Sequence, residues 1–232
     1  MDFIAIVLAS FTGFCLLVQL ASIVLAQIKQ GFAAKAGLSA QPKITVLRPV
    51  CGLENNLQET LASSFAADYP DFEIIFCVAD ARDPVVPLVQ QLLAAHPAVQ
   101  AQLLIGEDRI SGNPKLNNLA KGWALAKGAF VVMIDSNVLL PRDYLQRLLA
   151  EWRPGTGLVT SPPAGIRPIG FAARLECGFL NSFQGRWQLA SAAMGNGFAQ
   201  GKILRHATAG QREVHGLIHV RRDDSERQSG LG

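Results

Sequence analysis

From Phe3 to Ile28 the chain carries no charged residue, and Ile, Val, Leu, Ala and Phe dominate it. A helix there, rising about 1.5 Å per residue, is long enough to cross the roughly 30 Å hydrocarbon layer of a bilayer. Beyond it the pattern breaks into short units. Ile44–Leu47 is an apolar run, Glu54–Ala67 has helical spacing through Leu57, Leu61 and Phe65, and Phe72–Val78 is a second run. Pro84–Ala95 predicts a helix with proline near its first turn. Strand Gln102–Ile105, helix Pro114–Lys127, strand Ala129–Ile134, helix Pro141–Trp152 and strand Gly157–Thr160 follow. Such alternation through short connections predicts a mostly parallel, doubly wound α/β sheet. Phe171–Met194 is helix-compatible, with Phe171, Leu175, Phe179 and Phe183 four residues apart. That stripe is read as a core face, the alternative being a surface that dips into a membrane interface, where Trp187 and the Phe side chains also fit.

Charge places the apolar segment. Asp2 precedes it, whereas Lys29, Lys35, Lys43 and Arg48 follow it. A cleavable signal peptide would carry a positive start and a shorter core, so the pattern predicts an uncleaved anchor with the following domain on the cytoplasmic side. The expected divisions are a transmembrane signal anchor at 1–28, a juxtamembrane linker at 29–43, an α/β domain at 44–202 and a polar tail at 203–232. Cys15, Cys51, Cys77 and Cys177 are scattered and are read as small buried hydrophobes in a reducing compartment, not as a disulfide frame or zinc site. The net charge of +3 is too small to argue for nucleic acid.

Candidate chemistry collects in loops that follow strands. Asp135 ends the apolar run Ala129–Ile134, at the strand end where open α/β sheets bind ligands. A turn or helix-cap role is the competing reading of Asp135-Ser136-Asn137. Arg48 stands in an open turn with Pro49 and Gly52, suited to pairing with phosphate or carboxylate. Asp80 follows the second strand, where a carboxylate can accept hydrogen bonds from a base or ribose, whereas Asp83 before Pro84 is read as a helix cap. Lys115 lies in a first helical turn, against the helix dipole, and is sensible there if an anion docks. No G-x-G-x-x-G follows the first strand and no G-x-S-x-G elbow appears, which disfavours a dinucleotide-binding domain and a nucleophilic hydrolase.

The ordered segments Leu47–Gly52, Cys77–Pro84, Gly112–Asn118 and Ile134–Asn137 closely resemble the ceramide glucosyltransferase family, whose bacterial relatives include hopanoid-associated glycosyltransferases. The resemblance runs from about Ile44 to Lys202. It implies a membrane-anchored, inverting enzyme with a GT-A-like nucleotide-diphospho-sugar transferase domain over 44–202. Carried over by position, Asp80 is the family's nucleotide-contacting aspartate, while Arg48, Pro49 and Gly52 line the same pocket. Lys115 stands near the sugar-diphosphate, and Asp135 holds Mg²⁺ or Mn²⁺ on the diphosphate. Asn137 replaces the second acid of a D-x-D, so no metal role is carried to it.

The implied partners are a UDP-sugar donor, with glucose expected and N-acetylglucosamine also open, a membrane lipid acceptor such as ceramide, and the bilayer. The family pattern continues into a base aspartate and a Q-x-x-R-W segment that have no match here. Gln184–Trp187 is one residue short and too early, so the catalytic base stays unassigned. An incomplete donor-binding fragment is the alternative function. In the tail, Asp223 and Asp224 are read as a solvated charge cluster in preference to a substitute base. A metal role for His215 and His219 is likewise disfavoured.

Overall fold

The computed structural model of the chain describes residues 3–31, 41–153, 156–198 and 203–206. Helix α1 is Phe3–Gly31; then come β1 (Ile44–Pro49), α2 (Leu57–Ala62) with a 3₁₀ turn (Ser63–Ala66), β2 (Phe72–Val78) and α3 (Val85–Ala95). Strand β3 (Gln100–Ile105), α4 (Pro114–Leu125), β4 (Phe130–Met133), α5 (Tyr144–Ala150) and β5 (Val159–Thr160) continue the alternation. Helix α6 (Phe171–Phe179) passes through a π turn (Leu180–Gln184) into α7 (Gly185–Ala193), and β6 (Ile203–His206) follows.

The sheet order is β3-β2-β1-β4-β6-β5. β1 pairs in parallel with both β2 and β4, and β2 with β3, as the strand-helix alternation predicts. β6 differs: it runs antiparallel to β4, with Met133 opposite Ile203, and antiparallel to β5. The sheet therefore takes in residues that the sequence pattern assigned to a polar tail beginning at 203. His215, His219, Asp223 and Asp224 lie outside the described residues, as does most of the 29–43 linker.

Period-2 alternation on the central strands divides the core in two. Val46, Ile74, Phe76 and Val132 face α2, α3 and α5, packing with Leu61, Val89 and Leu145. Leu47, Ile75, Cys77, Val131 and Met133 face α4, packing with Leu119 and Trp123. A fully buried aliphatic or aromatic side chain contributes about 1.5–3 kcal/mol, so these two layers are the main source of stability. Among the described residues, the buried carboxylate in the sheet floor is satisfied: Glu73 accepts from Thr45 Oγ1 at 2.6 Å and from the Lys127 N–H at 2.7 Å.

Helix α4 approaches the sheet closely because residue 122 has no side chain. A Cβ on Gly122 would meet Cys77 Sγ at 2.6 Å and Leu47 Cδ2 at 3.1 Å. Gly122→Ala gains about 1 kcal/mol of helix propensity but adds about 1–3 kcal/mol of overpacking, so net destabilisation is expected. Urea unfolding followed by tryptophan emission checks this, and adding Cys77→Ala should restore part of the loss. Stability at or above the parent in Gly122→Ala alone would refute the close approach.

Two assignments are corrected. Cys51 is exposed, not a buried hydrophobe. Cys77 is buried, and desolvation pushes its thiol up to about 12. The stripe on α6 is no core face either: no residue between Phe171 and Gln184 is buried, and Phe171, Leu175, Phe179 and Phe183 are exposed.

Candidate functional site

Parallel strands deliver their following loops to one edge of the sheet. Neighbouring strands lie about 4.8 Å apart, so the loops after β2 and β4, with β1 between them, stand about 10 Å apart. On the β4 side, Ile134 N–H bonds to Leu47 carbonyl oxygen at 2.9 Å and carries the strand pairing up to Asp135. The Asp135 side chain is partly exposed and forms an ion pair with Lys115 Nζ.

Lys115 reaches it from the first turn of α4. Asn113 caps that helix, its Oδ1 accepting from the Lys115 N–H at 3.0 Å, and Pro114 fixes the first turn. The sequence pattern predicts an anion at this helix start; in the structure the Lys115 ammonium reaches the Asp135 carboxylate. Both partners stay accessible, at 45% and 35% side-chain exposure, so an incoming anion can compete for the ammonium.

Arg48 stands elsewhere than expected. β1 runs through Pro49, and the alternation that turns Val46 toward α2 turns Arg48 the same way, into full burial. Its Nη1 donates to Thr60 carbonyl oxygen at 2.7 Å and to Ser64 Oγ at 2.6 Å. Its Nη2 donates to the carbonyl oxygens of Asp135, Ser136 and Val138 at 2.8, 3.0 and 2.9 Å. The guanidinium therefore lines no pocket; it lies beneath the rim and fixes the Asp135–Val138 turn to β1 and α2. Burial pulls its pKa down to about 9, partly offset by the charge of Asp135. Two units above neutral pH still leaves it about 99% protonated.

The loops after β1 and β2 are tied together. Gly52 adopts a left-handed φ of 66°, and its N–H donates to both Asp83 oxygens, at 2.9 and 3.1 Å. Asp83 Oδ1 also accepts from the Val85 N–H at 2.9 Å, which is the helix-cap role its sequence position suggests. Pro49 closes β1 opposite Cys77. Asp80 sits exposed at the end of β2, its oxygens accepting from Arg82 Nη2 at 2.8 Å and Nε at 3.2 Å. The Arg82 side chain and its backbone N–H hold the Asp80 carboxyl down at about 2, so it is ionised at neutral pH.

Two asparagines complete the rim without having drawn a role from the sequence. Asn117 Oδ1 accepts from the N–H groups of Ile110 and Ser111 at 3.1 and 2.9 Å, and its Nδ2 donates to Ser111 carbonyl oxygen at 3.0 Å. Asn118 Nδ2 donates to Cys77 carbonyl oxygen at 2.8 Å, fastening α4 to the end of β2. Consecutive asparagines inside a helix are the available signal, since they compete with helical hydrogen bonds unless the fold uses their amides.

The pattern of glycosyl transferase family 21 matches residues 5–218. The chain belongs to this family. Among curated relatives of this family 21 chain, the ceramide glucosyltransferase of Komagataella phaffii is 37% identical over 128 residues, covering 52% of this chain and 25% of that protein. The ceramide glucosyltransferase of Candida albicans is 39% identical over 115 residues, covering 44% and 21%. The chain thus spans about a quarter of the length of the relatives it matches. Of solved structures, the mannosyltransferase PcManGT from Pyrobaculum calidifontis, in complex with GDP-Man and Mn²⁺, superposes with a TM-score of 0.57 at 19% identity, covering 80% of this chain and 52% of that one. That likeness shows the fold, which is GT-A-like.

Among the described residues of the family 21 chain, no group of three or more His, Cys, Asp or Glu side chains stands together. The β4 end of the rim offers one carboxylate, Asp135, beside Lys115. That donor set suits a hard divalent cation that takes its other ligands from substrate phosphates and water, and does not suit a protein-built cage.

Proposed function

We propose that the chain is a membrane-anchored, inverting glycosyltransferase that moves glucose from UDP-glucose to a lipid hydroxyl such as that of ceramide. The observation that carries this reading is the Lys115–Asp135 pair at the carboxyl edge of a parallel sheet, two strands from Asp80. Asp80 accepts hydrogen bonds from the nucleoside, and Gly52 and Pro49 shape the same end of the pocket. Lys115 leaves Asp135 for the diphosphate and balances its charge. Mg²⁺ or Mn²⁺, held by Asp135 together with diphosphate oxygens, would supply further neutralisation of the leaving UDP. In the transfer, the acceptor hydroxyl gives its proton to a general base as its oxygen bonds to the anomeric carbon, the bond to the diphosphate breaks with its electron pair leaving on UDP, and inversion follows from that single displacement.

The same proposal divides the chain into an anchor at 1–28, a juxtamembrane linker and a GT-A-like domain. Helix α1 is long and apolar enough to cross a membrane over Phe3–Ile28, and the positive charges that follow it favour a cytoplasmic domain. The kinship with ceramide glucosyltransferases supports glucose and ceramide over other sugars and lipids.

The test is calorimetric titration of UDP-glucose and UDP-N-acetylglucosamine, with and without Mn²⁺, into the detergent-solubilised full chain, followed by a UDP-release assay with ceramide. Mn²⁺-dependent binding of UDP-glucose with ceramide-dependent release is the expected result. Binding without release would reduce the function to donor binding, and no binding to either nucleotide sugar would overturn it.

A further inference from the structure

Helix α1 is longer than a bilayer needs. Its apolar stretch has 26 residues, about 39 Å at 1.5 Å per residue, against a hydrocarbon layer of about 30 Å. Roughly 9 Å of an upright α1 therefore lies in the headgroup layer. At its carboxyl-terminal end α1 is no longer free. Ser22 and Ala26 are buried, and Ala26 shares a small cavity with Leu180, Gly185 and Leu189 of the π turn and α7. Gln19 is hydrogen-bonded by Arg186, whose long side chain can cross a polar boundary. The helix formed by α6, the π turn and α7 thus packs along the carboxyl-terminal half of α1, from Gln19 to Ala26, toward the end at which α1 leaves the bilayer.

That helix carries an apolar face that the described residues leave exposed. Phe171, Leu175, Phe179 and Phe183 are 77%, 60%, 53% and 43% exposed, and Ile166 and Ile169, just before it, are 58% and 78% exposed. Residues four apart advance about 40° per step around a 3.6-residue turn, so the three steps from Phe171 to Phe183 would wind the stripe about a third of the way round an α-helix. The wider π turn at Leu180–Gln184 turns it back toward one side. Phe179 and Phe183 stack across the turn at 5.1 Å, and Phe183 meets Trp187 edge-on at 6.2 Å. A contiguous exposed patch of this kind has a hydrophobic partner, and its continuity with α1 says which.

We infer that the Phe171–Ala193 helix is an interfacial element, its aromatic stripe sunk in the headgroup–acyl boundary of the bilayer that α1 spans. This rests on the membrane-anchor part of the proposed function. It makes the membrane attachment two-part: α1 crosses the bilayer, and the second helix lies along its surface and sets the height and tilt of the sheet edge that holds Asp135.

The full chain is reconstituted in phosphatidylcholine vesicles whose acyl chains are brominated near the headgroup or near the terminal methyl. Phe179→Trp and, separately, Leu175→Trp report the stripe, and Phe11→Trp reports the middle of α1, each in a Trp187→Phe background and read after subtracting the emission of Trp123 and Trp152 in that parent. The stripe positions should lose about twofold in emission with shallow bromine and much less with deep bromine, as befits burial of about 5–10 Å. Phe11→Trp should show the reverse preference. Quenching at Phe11 without quenching at either stripe position would overturn the inference and leave the anchor standing. Preferential deep quenching at both stripe positions would also overturn it, and no quenching at any position would remove the anchor and the inference together.

Discussion

Arg48→Met is expected to lower the unfolding free energy by about 3–5 kcal/mol, because a buried cation is exchanged for an apolar chain that leaves carbonyl oxygens unpaired. Five acceptors depend on this guanidinium, three of them the backbone oxygens of the turn that carries Asp135. Only some have a substitute, as Ser136 carbonyl oxygen also accepts from Thr60 Oγ1 at 2.7 Å. Arg48→Lys keeps the charge but offers one nitrogen where two reach five acceptors, so it should recover less than half of the loss. Urea unfolding of the full chain in detergent measures both. A loss under about 1 kcal/mol in Arg48→Met would mean that the turn holds itself, and that the positioning role is misplaced. If stability falls as expected, Mn²⁺-dependent UDP binding should weaken as well, since Asp135 loses its fixed seat.

Asp135→Ala should do the opposite: little change in stability and a large loss of binding. The substitution spares the carbonyl oxygen that Arg48 holds, and it removes a partly exposed ion pair, a type that contributes about 0–1 kcal/mol, together with the charge that partly offsets the burial of Arg48. Affinity for UDP in the presence of Mn²⁺ should fall by about 100-fold, equivalent to about 2.7 kcal/mol. The Mn²⁺-independent part of the affinity should persist, because Lys115 is freed. Calorimetry with and without Mn²⁺ separates the two. Equal affinities for Asp135→Ala and the parent in Mn²⁺ would take Asp135 out of any metal role.

The residues just discussed also show where sequence patterns inform and where they mislead. β1, β2 and β4 are visible because buried parallel strands are nearly continuous apolar runs, and α4 is visible because an Asn-Pro start and spaced apolar residues mark it. The nearness of Lys115 and Asp135 follows from topology alone, once both are placed at the same sheet edge. Arg48 reads as a loop residue because the apolar run stops at Leu47. Its period with Ile44 and Val46 carried the contrary information, that residue 48 points into the core. β6 escaped because four residues with polar neighbours carry no period of their own; the pairing with β4 makes them a strand. The α6 stripe was legible as amphipathic, but which medium covers it depends on α1 lying alongside, and no local pattern holds that information.

The place of β6 has a consequence for biosynthesis. The outer edge of β4 is closed by a strand about 70 residues further on, so at roughly 5–20 residues per second the ribosome leaves that edge open for some 4–14 s. During that interval a four-residue apolar strand, Phe130–Met133, offers unpaired backbone groups to any neighbouring nascent chain. Helix α1 has by then been made and can enter the bilayer, which spaces the growing chains apart on a surface. If α1 anchors the chain as proposed, membrane insertion would act as a folding aid, and a chain delivered late to the membrane should aggregate through β4 before its sheet is closed.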